Sequence, residues 1–467
     1  MNHNHTEQPH PPSLSWQQGA AIFVLVLGWL LYAILGLQAQ PHMPLLIAAI
    51  GTALALKLCG QSWKMIEQSA VRGLKDSIQP VMLLSLIGIL IGAWMMSGTV
   101  PAMLVYGTNF FLPEWFALSA MLLTVVVSMS IGSSITTVAT FGVAIIAISE
   151  AMGANSALVA GAVVSGACFG DKMSPLSDTT NFAAAVSRVS ITSHIRNMTK
   201  TTIPAFLITI VAFAILGHST ANDMSSIIAM KQELQQVFHI HPLNLLPLVI
   251  VLIASLKRIP ILLTMLMGIG TALVITGFIQ GNWNVSMWMQ TMQSGLRINF
   301  ELETLAPVIN RGGIDSMMWS ISLIGIAFVF GGLLQHGGVI RSWIEPLMAR
   351  IKRKQTMVVT TGLSSIGVNF MTGEQYMSIL IPGQMFQEQY EQRRIPRLTL
   401  SRTLEDCGTL VNPLVPWGVS GAMMTSAIGM DVLTYAPFAL FLWISPLCTF
   451  AFALIPGLNR RTLHETE

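Results

Sequence analysis

Nine apolar stretches dominate this chain, and they decide most of what it can fold into. They cover residues 19–37, 43–58, 78–96, 116–129, 201–216, 243–256, 259–279, 317–334 and 436–455. A helix needs roughly 20 apolar residues to cross a bilayer, and lipid satisfies no backbone polar group. Helices that bond internally are therefore the natural product. A β-barrel would need short alternating strands, and these stretches do not alternate. Only 10% of the 467 residues are charged, against about 25% in soluble domains, and the mean hydropathy is +0.65. The expectation is an all-α polytopic membrane protein whose first partner is the lipid bilayer.

Other classes lose ground quickly. The net charge of +3 is small, its basic residues fall between apolar runs, and no nucleic-acid motif occurs. No cleavable signal peptide is evident, because the first apolar run is long enough to remain as a helix. Cys59, Cys168, Cys407 and Cys448 form no metal-type pair, and His3, His5 and His10 read as part of a polar tail. The remaining histidines lie near loops, away from any nucleophile–base set, so an enzyme is not expected and no resident cofactor is implied.

The chain repeats itself. Asp76-Ser77 matches Asp315-Ser316 at an offset of 239, and Ser85–Ile89 matches Ser322–Ile326 at 237. Gly170, Pro175 and Leu176 match Gly408, Pro413 and Leu414 at 238. Basic residues orient these halves, since cytoplasmic loops are enriched in Lys and Arg. In the first half they cluster at Lys57–Lys75 and Arg188–Lys200; the equivalent second-half segments carry few. The second half instead has Arg341–Lys354 and Arg393–Arg402, whose first-half equivalents have none. The bias changes sides, so the halves are expected to be inverted, an architecture of secondary transporters with a site at the interface. The boundaries that follow are a cytoplasmic tail (1–16), a first transmembrane repeat (17–217) and an external connecting loop (218–241). A second, inverted repeat (242–457) and a second cytoplasmic tail (458–467) complete the chain.

Each half should contain an interrupted helix. Residues 163–186 read VVSGACFGDKMSPLSDTTNFAAAV, with Asp171, Lys172 and Asp178 inside the break. A charge at mid-bilayer costs roughly 3 kcal/mol, so three within eight residues need a purpose. One lysine can neutralise only one of the two carboxylates, leaving the other for a cation. Residues 404–424 read LEDCGTLVNPLVPWGVSGAMM, where Glu405 and Asp406 precede Thr409, Asn412 and two prolines. Carboxylate, hydroxyl, amide and freed carbonyl oxygens suit hard cations. A polar interruption precedes each break: Gly132–Thr137, then Asn369–Gln375 with Glu374. Each reads as the tip of a re-entrant hairpin or as the joint between two short helices. Ser133, Ser134, Thr136 and Thr137 suit small-residue packing as well as ion coordination. Trp63, Trp94, Trp115, Trp283 and Trp288 read as interfacial, and residues 61–75 as a charged segment lying at the interface.

GACFGDKMSPLSDTT and SRTLEDCGTLVNPLVPW resemble the signatures of NhaC-type sodium/proton antiporters of the ion transporter superfamily, over residues 62–456. The resemblance implies inverted repeats, each with a hairpin and an interrupted helix meeting at a central site. It places Asp171, Ser174, Asp178, Thr179 and Asn181 on one side, and Glu374, Asp406, Thr409 and Asn412 on the other. Ser133, Ser134 and Thr137 join them from the first hairpin tip. It implies sodium held at Asp178, with Asp171 and Asp406 assisting, exchanged for protons across a bacterial inner membrane, and a homodimer. The same family includes malate/lactate exchangers and amino-acid carriers, so a sodium-coupled organic-acid or amino-acid transporter is the alternative. Asn412, Gly418 and Glu374 depart from the family pattern, and Gly418 removes a polar group at that point.

Overall fold

A computed structural model describes residues 14–107, 113–151, 153–217, 224–300 and 306–455. Most of both expected tails, His3, His5, His10, Glu301 and Glu303 lie outside them. Among the described residues the chain is helical throughout, without a strand. Five helices are long and apolar enough to cross a membrane: Trp16–Gly36, Trp63–Met96, Ile191–Leu216, Ile261–Phe278 and Ile314–His336. Pro242–Leu256 follows Ile228–Val237 across a 94° bend. The segment expected as a connecting loop thus contains a helix, Met224–Val237.

Residues 61–75 do not lie apart at an interface. Trp63–Asp76 leads through Ser77 into Ile78–Met96 with nearly no interruption. Both pack antiparallel on Ile314–His336: Gly88 meets Gly313 and Met317, while Gly73 meets Phe328 and Gly332. The absent side chains let the backbones touch, and the Gly313 amide donates to the Gly88 carbonyl at 2.7 Å. Trp94 is likewise no belt residue; it is buried beside Gly268 of helix Ile261–Phe278, whereas Trp63 and Trp283 are exposed.

Helix Phe116–Ile131 runs parallel to Ser156–Met173, with Met121 against Gly166 and Val125 against Gly170. The Ser128 hydroxyl donates to the Ala167 carbonyl at 2.6 Å. Two parallel helices force the chain between them to run back, so Phe116–Ile131 and Ser134–Glu150 form a helical hairpin. Its tip turns at Gly132 (φ +73°), a conformation that favours glycine. Lys354–Thr372 and Gln375–Gln392 make a second hairpin. Tyr390 donates to Thr361 at 3.1 Å and Ser365 to the Ser378 carbonyl at 2.6 Å, an antiparallel register. Its tip is Gly373 (φ +67°). Ser133 and Glu374, each one residue beyond a tip glycine, cap the returning arms through the amides of Thr136 and Met377.

Candidate functional site

The first interrupted helix stops at Met173 and restarts at Asp178. Pro175 has no amide to donate, and Ser174 takes an extended conformation. Ser177 caps the restart by accepting from the Thr180 amide at 3.4 Å. The carbonyls the break releases are taken up by side chains. Thr180 donates to the Lys172 carbonyl at 3.2 Å, and Asn181 donates to those of Pro175 and Ser177 at 3.0 and 2.6 Å. Each of these freed carbonyls thus accepts one side-chain hydrogen bond. Ser174 serves the break itself, accepting from the Leu176 amide at 3.2 Å.

The second interruption is built differently. Arg397–Leu404 widens into a π-turn at Glu405–Thr409, passes a 3-10 turn at Asn412–Leu414, and restarts at Val419. Asn412 is fully used: it donates to Asn369 Oδ1 (2.8 Å) and the Gly373 carbonyl (3.0 Å) and accepts from the Ser420 amide (2.8 Å). It ties the second hairpin tip to the restarting helix, as does the Val419 amide bonding to Gly373 at 2.7 Å.

Lys172 crosses to the other half. Its ammonium pairs with Asp406, not with Asp171 or Asp178, and both side chains are completely buried. Asp406 also accepts from Ser445 (3.0 Å), Thr201 (2.9 Å) and Thr449. Every lone pair facing the interior has a donor, so Asp406 holds the halves together and has no oxygen to spare for an ion.

Asp178 sits at the wall of a cavity of about 480 Å³, lined also by Ser133, Thr136, Asn181 and Arg258. Tyr376, on the returning arm of the second hairpin, donates its hydroxyl to Asp178. Asp171 is buried behind that wall: one carboxylate oxygen accepts from the Ser134 amide (3.0 Å) and hydroxyl (2.7 Å). Thr179 donates to Glu405 at 3.4 Å and bonds with Ser177 at 3.1 Å. The first hairpin tip, the first break and the π-turn thus converge on Ser134, Asp171, Ser177, Thr179, Glu405 and Thr409. Thr137 is apart, donating to the Ser133 carbonyl at 2.9 Å, and Glu374 is a buried helix cap bonded to the Met377 amide at 2.9 Å.

Sequence reasoning did not single out Glu405, Tyr376, Thr201, Ser445 or Thr449 as site residues. Ser445 and Thr449 had a signal: two hydroxyls at i,i+4 on one face of an otherwise apolar helix. Glu405 had the same signal as its neighbour, an acid at membrane depth.

Apolar helices interrupted twice, with carboxylates and a lysine buried at the interruptions, define a multi-pass membrane protein with an internal polar site. Residues 166–455 match the Na+/H+ antiporter family. The chain is 45% identical over 420 residues to the Na+/H+ antiporter NhaC of Alkalihalophilus pseudofirmus, covering 90% of this chain and 91% of that one. It is 43% identical to the Na+/H+ antiporter NhaC of Bacillus subtilis, covering 95% and 98%. The malate-2H+/Na+-lactate antiporter of Bacillus subtilis is 31% identical, covering 95% of each chain. The chain belongs to the Na+/H+ antiporter family.

Proposed function

We propose that this protein exchanges sodium for protons across the cytoplasmic membrane of a bacterium by alternating access. The observation that carries the reading is near-full-length similarity to two proteins named as Na+/H+ antiporters, at 45% and 43% identity. The malate/lactate relative is more distant, at 31%. The site's chemistry agrees: beside Asn181 and Arg258 in the cavity wall, the carboxylates and hydroxyls offer oxygen, the donor type hard cations take.

The charge bias places residues 188–200 and the turn near Arg258 on the cytoplasmic side, and with them both termini. The cavity at Asp178 is then the inward route. Antiparallel packing of Trp63–Met96 on Ile314–His336, which share the Ser85–Ile89 and Ser322–Ile326 match, supports inverted repeats with re-entrant hairpins. Asp178 is the carboxylate an entering sodium or proton meets first, and Asp171 lies one break deeper. Rocking one half against the other would close this route and open one on the far side.

The test is proteoliposomes with an acidic interior and a fluorescent pH reporter. External sodium should raise the internal pH, and Asp178→Asn should remove most of that response. A folded, reconstituted protein that gives no sodium-dependent alkalinisation ends the antiport reading. Sodium-driven uptake of labelled dicarboxylates would then be measured.

A further inference from the structure

Glu405 and Asp406 are adjacent, equally buried, and treated in opposite ways. Most of the donors go to Asp406. Glu405 accepts from Thr179 at 3.4 Å, and its Oε2 makes no hydrogen bond of ordinary length among the described residues. Asp171 presents the same asymmetry: Ser134 serves Oδ2, and Oδ1 makes no such bond. The Thr409 hydroxyl, buried on the same π-turn, faces Glu405. Asp171 lies close enough to Glu405 to act on it electrostatically. Buried carboxylate oxygens are normally paired, because leaving them bare forfeits the whole hydration energy. Here one oxygen from each half is bare, with the Thr409 hydroxyl beside Glu405.

We infer that Glu405 is a cation ligand of the second half, and that with Asp171, Thr179 and Thr409 it forms a closed, oxygen-only site between the halves. This rests on the antiport reading and extends it past Asp178 to the innermost stop. The four residues offer carboxylate and hydroxyl oxygen alone, the donor type hard cations take, and on the antiport reading that cation is sodium.

The experiment measures binding of radioactive sodium to the purified full chain in detergent at fixed pH, alongside proteoliposome exchange. Glu405→Gln should weaken sodium binding at least tenfold while keeping a monodisperse profile and a near-parental melting temperature. Glu405→Asp should recover part of it. Thr409→Val, which keeps shape and removes the hydroxyl, should weaken binding severalfold and serves if Glu405→Gln does not fold. Lithium should compete, and calcium or magnesium at equal concentration should not. Parental affinity in folded Glu405→Gln or Thr409→Val, or displacement by a divalent ion, overturns the inference while parental antiport stands. A parent that exchanges no protons for sodium fails on the function itself, whatever Glu405 does.

Discussion

The two interrupted helices solve one problem in two ways. At the first, the chain comes apart between Met173 and Asp178, small polar side chains patch the exposed carbonyls, and Asp178 and Asn181 face a cavity. At the second, the chain stays coiled through a π-turn, and every residue from Glu405 to Leu414 is buried. One break opens onto a cavity; the other is buried and clamped by Asn412, Asn369 and the pair to Lys172. On the proposed mechanism an ion arriving through the cavity would meet the first break before the second.

The largest effect should come from the clamp. Lys172→Met leaves Asp406 a buried charge with hydroxyl donors and no counter-ion, and losing one member of such a pair costs about 3–5 kcal/mol. Thermal unfolding in detergent should show it, and Lys172→Met combined with Asp406→Leu should regain much of the loss. A single variant as stable as the parent would refute the clamp. The repeat-equivalent glycines sharpen the contrast. A Cβ on Gly170 would lie 2.5 Å from the Val125 carbonyl and 2.7 Å from the Met129 amide, both backbone. On Gly408 the nearest atoms all belong to side chains, the Ser365 and Ser378 hydroxyls at 2.9 Å and Ile379 at 3.2 Å, and side chains can turn away. Gly170→Ala should cost about 1–3 kcal/mol and Gly408→Ala clearly less, again by melting; the reverse order would break the comparison.

Asp178→Asn should separate stability from function. Facing the cavity, it should leave the melting temperature near the parent's while exchange falls at least about tenfold, or roughly 1.4 kcal/mol. A large drop in melting would make Asp178 part of the frame instead. Tyr376→Phe is the mildest change. Losing one donor to a partly exposed carboxylate is worth about 1 kcal/mol, so the sodium concentration for half-maximal exchange should shift about fivefold or less. No shift would mean the hairpin arm does not help to hold Asp178.

Much of this was legible in the sequence, and the omissions share a cause. The helical class follows from apolar run length, and both interruptions from polar residues and prolines inside those runs. Spacing along one strand of sequence could not show which side chains meet across the halves. Lys172 reads locally as the partner of Asp171 or Asp178, yet it reaches Asp406, 234 positions further on. Glu405 and Asp406 are indistinguishable by burial and type; only the π-turn sends one to the hydroxyls of Thr201, Ser445 and Thr449 and the other to Thr179. Trp94 misread for the same reason, since an indole at a belt looks like one beneath a packed helix. Arg402, grouped by sequence with a loop cluster, is buried one turn before the carboxylates.

The pair between Lys172 and Asp406 also has a consequence for how the protein is made. At about 5–20 residues per second, synthesis takes roughly 10–50 s to reach Asp406 after Lys172 has emerged. Throughout that interval the first half holds an ammonium whose final partner has not yet been made. Nascent first halves should therefore linger beside the insertion machinery and settle only when the second half arrives. Cross-linking of stalled chains to that machinery would time the release.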